Sequence, residues 1–553
     1  MSANAIAPVR TAATRTSQGA LTGTGAMLRL ALRRDRIRMP VWVLSIAALT
    51  AYFCNAIGLI MDEEGLATFA VFASNPIMAL IGGPGYGFDD ITVPRFIVGM
   101  YGTSLMIGAA IMGITTVSRH TRVEEQTGRA ELIRANPVGR HAALASSLIL
   151  AAIMSITTGL LMGLAMLSAP IDAEPAGSVL FGLSVGAVAL VFAGVAAVTA
   201  QLSAFSRAAS GIAGVVLGAA FVVRGLGDMS AAQDGDLAWL SWLSPLGWSL
   251  QTAPFTEDRW WPLVISLAAA VALALLGFAL QSRRDLAAGM LPDRLGRAEA
   301  VGWLRSGFAL AYRLQRASLI GWTLAMLAAG VTFGAFVAPM AEGATGMPDQ
   351  ILQLMGGDDG IVEGYLGFMA VYFAMMASVF VVLSAQSLRG EEQVTRAEAV
   401  LAASVGRSGW LLSWTAIAAI GAAWLMLVAG VGEALGAAAG VSDWSLFWPV
   451  VLGHVAQTAG VWVVLGLAVA LYGLSPRLTG LVWVLLVGGA LLTLFGEMLD
   501  LPEAALGASP FDHAGQYPAE ELEWAAIGVM AGIAVLLAVI GAVAFRRRDL
   551  TTT

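Results

Sequence analysis

Long apolar runs alternate with short polar segments along almost the whole chain. A membrane-crossing helix needs roughly 20 consecutive apolar residues. Runs of that kind lie near 40–61, 95–117, 142–168, 177–203, 209–224 and 261–281, and again near 318–340, 364–386, 409–432, 445–473, 480–499 and 523–545. The pattern predicts an all-α integral membrane protein with about 12 transmembrane helices in two sets of six; the run at 209–224 is the shortest. Ahead of each set, a segment with helical spacing predicts an amphipathic helix at the inner membrane surface. Arg29, Arg33 and Arg36 share one face in the first, and Leu304, Phe308 and Ala311 share one in the second.

Composition supports the membrane assignment. Of 553 residues 58% are hydrophobic and only 12% charged, about half the charge of a soluble domain. Placing both termini on the cytoplasmic side puts 1–39, 118–141, 204–209, 282–317, 387–408, 474–479 and 546–553 inside, and these segments hold 27 of the 30 basic residues. Only Arg95, Arg224 and Arg259 fall elsewhere. The positive-inside rule therefore sets a multi-pass cell-membrane protein with cytoplasmic ends. Residues 1–26 are polar, lack the apolar core of a secretion signal and predict a flexible cytoplasmic tail. The expected division is a first six-helix domain at 27–285, a cytoplasmic linker at 286–304 and a second six-helix domain at 305–553. The single cysteine, Cys54, has no intrachain partner and reads as a small packing residue.

One charged sequence occurs twice. EEQTGRAELIRANPVGR at 124–140 aligns without a gap to EEQVTRAEAVLAASVGR at 391–407. The aligned acids are Glu124, Glu125 and Glu131 against Glu391, Glu392 and Glu398; Arg129 and Arg140 match Arg396 and Arg407. Other features repeat with it. Arg33, Arg36 and Trp42 match Arg313, Arg316 and Trp322; Gly82-Gly83 matches Gly356-Gly357; Ser244-Pro245 matches Ser509-Pro510. Each half ends alike, with Arg283-Arg284-Asp285-Leu286 against Arg547-Arg548-Asp549-Leu550. Six spans per half is an even number, so the halves are parallel repeats about an axis along the membrane normal. Acid and base at i, i+4 spacing, as in Glu125–Arg129 and Glu392–Arg396, predict a short helix, but such pairs contribute only about 0.2–0.5 kcal/mol each. Keeping the same acids in both halves points instead to a docking surface for a cytoplasmic protein. All the basic residues are arginine. A P-loop requires a lysine on the β- and γ-phosphates, so ATP hydrolysis is excluded from that motif in this chain.

Two halves that each carry a charged E-E-x-x-G-x-x-E-L-type segment between spans one and two resemble the permease subunits of ABC-2 class ATP-binding-cassette exporters with the type V exporter fold. More narrowly, the fused double length and the Arg-Arg-Asp-Leu ends resemble the membrane subunits of actinobacterial tetronasin-type polyketide-antibiotic exporters. The resemblance implies that 119–140 and 387–407 are coupling helices, with Glu124, Glu125, Gly128, Arg129, Glu131, Glu391, Glu392, Arg396 and Glu398 gripping a partner. It implies two copies of a separate ATPase that hold the ATP and magnesium, no cofactor in this chain and no enzymatic role for it. It also implies membrane lipid around the chain, a hydrophobic small-molecule substrate and no nucleic acid. The second and fifth spans of each half would line the path, which places Met100, Tyr101, Ser104, Phe373, Met375 and Met376 at a substrate cavity. The second coupling segment departs from the family pattern, with Thr395 and Ser404 where the first has Gly128 and Pro137. Gly128 is expected to break its helix and Thr395 is not.

His454 joins the cavity candidates because an ionisable side chain inside an apolar run marks a functional site by default. Five tryptophans at 239–261 flank Ser244-Pro245 and predict a re-entrant outer helix with indoles at the interface. Asp89-Asp90 and Asp358-Asp359 read as outer-loop acidity. Gly289, Asp293, Arg294, Gly296 and Arg297 match a major-facilitator loop pattern, but between the wrong spans. A proton- or ion-driven secondary drug transporter is the main rival to a multidrug efflux ABC exporter, with an ABC lipid exporter as a further alternative. The secondary transporter needs acids within the membrane, and Glu433 and Glu497 are placed by the runs near outer helix ends.

Overall fold

The computed structural model describes residues 19–61, 65–66, 76–291, 296, 298–299, 301–338, 360–393, 395–403, 405–495, 502 and 507–549. Gly356-Gly357, Asp358-Asp359, Asp293, Arg294, Arg297, Ser404, Glu497 and Leu550 lie outside the described residues. The described residues are helical with no strand. They form two compact units, Met1–Leu295 and Gly296–Thr553.

The first unit begins with α1 (Thr24–Arg34), a turn, and α2 (Arg38–Ile60). A short α3 (Pro76–Ile81) precedes α4 (Val93–Ser118), which continues through a wide turn at Arg119–Val123 to Gln126. Then come α5 (Arg129–Arg134), α6 (Ala142–Ser168), α7 (Pro175–Leu202), α8 (Ser206–Ala231), α9 (Pro245–Leu250) and α10 (Trp261–Gln281). The second unit has α11 (Gly307–Ala335), α12 (Ile361–Gln393), α13 (Arg396–Leu401), α14 (Arg407–Val441), α15 (Phe447–Leu474), α16 (Leu481–Phe495) and α17 (Trp524–Arg547). Eleven helices among the described residues are long and apolar enough to span a membrane, and a shorter apolar helix covers Leu478–Leu494. The run at 209–224 belongs to a full-length span, Ser206–Ala231.

Each unit is organised around its fourth span. In the first, α7 packs against α4, α6 and α10; in the second, α15 packs against α12, α14 and α17. These hubs are the spans with the largest buried share beside α12, whereas α10 and α17 are mostly exposed. Lipid tails are as apolar as leucine, so spans associate through close packing rather than through hydrophobic transfer. Glycine supplies the close approach. A Cβ on Gly182 of α7 would overlap the Gly159 carbonyl of α6, and one on Gly473 of α15 would overlap the Gly541 carbonyl of α17.

Two expectations are corrected. Among the described residues before α11 there is no separate interfacial helix: Phe308 and Ala311 belong to the continuous α11, and Leu304 precedes it in a turn. On the first side α1 is a distinct helix with Arg29 and Arg33 exposed, and Arg36 lies in the turn that follows. Glu433 is not at a helix end. It sits eight residues inside the end of α14, fully buried. The segments expected on the outer side fold back into the units. Ser244 caps α9 by accepting from the Leu246 amide at 3.2 Å, and Ser249 of α9 donates to the Ser184 carbonyl within α7 at 2.9 Å. In the second unit Ser509 accepts from the Phe511 amide, and Gln457 of α15 donates to the Gly515 carbonyl at 3.0 Å. Trp239, Trp260 and Trp261 are exposed around the first of these segments, and Trp242 stacks on Trp261 at 5.2 Å.

The α6–α7 contact yields a test. Gly182→Leu must push a side chain into the α6 backbone, where overpacking typically costs about 1–3 kcal/mol even when neighbours can yield. The variant is expected to lose most of its monodisperse yield in size-exclusion chromatography, while Gly214→Leu, at an α8 position with open space, leaves it unchanged.

Candidate functional site

The repeated segments adopt one backbone shape. In the first unit α4 runs beyond its apolar stretch to Gln126, Gly128 turns left-handed at φ 73°, and α5 starts at Arg129. In the second, α12 runs to Gln393, Thr395 turns left-handed at φ 61°, and α13 starts at Arg396. Thr395 thus breaks its helix as Gly128 does, contrary to expectation. A β-branched residue there carries a strain of roughly 1–2 kcal/mol that glycine does not. The break also removes the expected i, i+4 pairs. Glu124 instead lies 3.8 Å from Arg129, and Glu391 lies 3.0 Å from Arg396.

The second acid of each repeat turns inward. Arg284, beyond the end of α10, forks onto Glu125: Nη2 lies 2.7 Å from Oε1 and Nη1 3.0 Å from Oε2. Arg548, beyond the end of α17, forks onto Glu392 with both distances 2.7 Å. The last arginine of each repeat closes the clamp. Arg140 donates to the carbonyls of Gln281 at 2.9 Å and Arg284 at 3.0 Å, and Arg407 donates to the carbonyl of Arg548 at 2.8 Å. Two positions of the repeat, in both copies, together with Arg284 and Arg548 of the repeated ends, therefore have one physical explanation. The repeated charged segment of each unit is tied to the terminus of that unit's last span. A planar guanidinium donating two parallel bonds to one carboxylate is a strong and direction-specific ion pair.

The clamps differ in what surrounds them. In the first, fully buried Arg122 adds a bond to Glu125 at 2.8 Å and donates to the carbonyls of Ala200 and of Ala288, the latter at 2.9 Å. Gln201 of α7 accepts from Arg284 Nε at 2.6 Å. In the second, the Tyr472 hydroxyl donates to Glu392, and the Arg548 guanidinium lies over the rings of Tyr472 and Phe545 at 5.0 and 4.8 Å. Burial works against the Arg548 charge, but the Glu392 fork outweighs it and holds the guanidinium above its ordinary range.

The first unit adds a second ion-pair cluster that sequence reasoning missed. Asp35, buried in the turn after α1, accepts from Arg119 at 3.0 Å and contacts His120 Nε2 at 2.7 Å. Arg34 pairs with Glu124. The signal was a lone acid among the arginines of the first elbow. At the aligned place the second unit has Gln315, which accepts from Ser384. A further missed residue is Arg224, fully buried in α8. It contacts Asp228 at 3.1 Å and donates to the last carbonyls of α3 at Ala79, Leu80 and Ile81, at 3.3, 2.9 and 3.0 Å. Its signal was being one of three arginines outside the basic segments.

With Glu125 and Glu392 engaged inside their units and Glu124 buried against Arg34, the outward faces of α5 and α13 carry Arg129, Glu131, Arg396 and Glu398. Arg129 and Glu131 are exposed beside Leu132, which is 73% exposed. Arg396 and Glu398 are exposed beside Ala399, while Ala397 is buried. The cavity candidates are not gathered in this way. Tyr101 stacks on Phe53 of α2 at 3.9 Å, Met100 is half-buried and Ser104 is exposed. In the second unit Phe373 and Met375 are buried, Met376 is half-buried, and Phe373 lies 5.5 Å from the buried His454 ring.

The sequence pattern of the family described as "Multidrug efflux system permease Rv1217c, C-terminal domain" matches residues 25–280 and 304–546. The chain belongs to this family. It is 38% identical over 539 residues to the multidrug efflux system permease protein Rv1217c of Mycobacterium tuberculosis (strain ATCC 25618 / H37Rv), covering 96% of this chain and 95% of that protein. As an Rv1217c-type permease the chain is a multi-pass membrane protein, and the clamps are a feature of its two halves alike.

The clamps make a quantitative prediction. Removing one partner of a buried pair leaves the other charge uncompensated, at about 3–5 kcal/mol. Arg548→Ala and Arg284→Ala are each expected to lower stability by that order in equilibrium unfolding of the full chain in mixed micelles. A loss under about 1 kcal/mol for both would show that the forks do not hold the segments.

Proposed function

We propose that this Rv1217c-type permease is the membrane subunit of an ATP-driven efflux system for hydrophobic drugs, polyketide-type antibiotics among them, and that α5 and α13 are its coupling helices. The observation that carries the reading is the pairing of two opposite surfaces on one segment. The inward side of each segment is clamped to its own unit by a buried fork, and the outward side of α5 or α13 offers unburied charge and, in α5, an exposed leucine. A segment built in this way receives force on one side and passes it to a span on the other. The absence of lysine from the chain excludes a P-loop here and so supports hydrolysis on a partner, and two such segments fit two copies of a separate ATPase that holds ATP and magnesium. The energy of the cycle must enter as a difference in how tightly the ATPase holds the two states of the permease. The basic ends of α4, α6, α10 and α17 face the cytoplasm in this arrangement.

The two faces can be separated by experiment. Glu131→Arg combined with Glu398→Arg reverses exposed charge and leaves both clamps intact. In nanodiscs with the ATPase, this variant is expected to keep the thermal stability of the free permease and to lose at least about tenfold of the permease-stimulated ATP hydrolysis, the scale of roughly 1.4 kcal/mol at the interface. Full stimulation and a one-to-two complex in the variant would rule out α5 and α13 as the coupling surface. Drug export that collapses with the proton gradient while ATP is intact would rule out the ATP-driven reading.

A further inference from the structure

His454 of α15 and Glu433 of α14 form a contact that the coupling account does not use. Both side chains are fully buried, and Nε2 lies 2.9 Å from Oε2. The contact has ion-pair distance without hydrogen-bond alignment, and Glu433 Oε1 has no hydrogen-bond partner among the described residues. His454 Nδ1 lies 3.0 Å from the Val450 carbonyl. A carbonyl oxygen only accepts, so Nδ1 carries a hydrogen. A bare Nε2 would then face a bare carboxylate, acceptor against acceptor, with both side chains fully buried. One proton must belong to the pair, on the imidazole or on the carboxyl, and either placement makes the pair neutral overall.

Among the described residues no other charged side chain contacts the pair, the nearest acid on α12 being Glu363 in its first turn. From α12, Tyr365 donates its hydroxyl to the Phe333 carbonyl of α11 at 2.9 Å, and Tyr372 packs on Phe333 and Phe373. Gln457 and Thr458, which follow His454 on the same face of α15, are neutral and buried. The arginines of α11 and α17 lie at the coupling-segment ends of those helices, α16 has no ionisable residue, and Asp443 is exposed beyond the end of α14. Tyr517 packs near Gly453 with its backbone carbonyl. Counting without a gap from the repeated segment, the first unit has buried Met166 in place of Glu433. Replacing a buried ion pair by well-packed apolar residues is often stabilising, so stability alone does not account for this one.

We propose that Glu433 and His454 form a one-proton binding site in the second unit, which discharges when α14 and α15 part. In the packed state the pair holds one proton. Exposed to water, a free carboxyl and a free imidazole hold one between them only from about pH 4.3 to 6.5, and none well above that. Above that window the packed state binds one proton more than the opened state. Its stability therefore falls as pH rises, by up to about tenfold in the packed-to-open ratio per pH unit. The site is independent of which energy source drives export.

Equilibrium unfolding of the full chain in mixed micelles at pH 6 to 9 tests this. Wild type is expected to lose up to about tenfold more in its folded-to-unfolded ratio per pH unit than Glu433→Gln, whose neutral amide needs no shared proton. A second variant, Glu433→Leu with His454→Leu, guards against a poorly folding single change and is expected to show the same flattened profile. Wild-type and variant profiles that run parallel would overturn the site.

Discussion

Each half of this permease depends on a guanidinium held by a carboxylate across a long stretch of sequence. Glu125 and Arg284 bracket the first unit from α5 to α10, and Glu392 and Arg548 bracket the second from α13 to α17. The fork closes each unit on itself at the end where the charged repeats lie. The position of the last span relative to the repeated charged segment rests on this pair and on the arginine that locks its backbone, together with the packing of that span on the hub helix. Burial gives the pair its leverage. Exposed pairs such as Glu391–Arg396 contribute about 0–1 kcal/mol, whereas breaking a buried one leaves a charge that the interior cannot solvate.

Around that clamp the spans are assembled by close approach. The hub helices α7 and α15 are dense in alanine and glycine, and their neighbours meet them backbone to backbone. The same geometry serves both halves, but the polar decoration differs. The first half adds the Asp35 cluster and Arg224; the second adds the Glu433–His454 pair and surrounds its clamp with aromatic rings. Duplication has kept the frame and let the buried polar groups diverge, so the halves are mechanically alike and chemically unequal.

Much of this frame was legible in the sequence. Apolar runs gave the spans because the bilayer admits few alternatives to a helix of that length, and the gapless repeat of 124–140 at 391–407 marked the segments that matter. The inward turn of Glu125 and Glu392 was not legible, because helical spacing predicts neighbours along one helix and the decisive partner is more than 150 residues away. The Arg-Asp-Leu repeat was visible as a repeat, but its role depends on where α10 and α17 end in space. Thr395 misled because residue preference for a left-handed turn is weak against tertiary contacts that demand one. Glu433 looked like an outer-end acid because the apolar run stopped at 432, while the helix continues to Val441.

The clamp itself is most directly tested by exchanging its charges. Glu392→Arg and Arg548→Glu are to be made singly and together, and the unfolding free energy of the full chain measured for all four forms. A stabilising coupling energy of at least about 1.5 kcal/mol between the two positions, with the double variant more stable than either single one, is the result this account predicts. Additive effects of the two changes would contradict it.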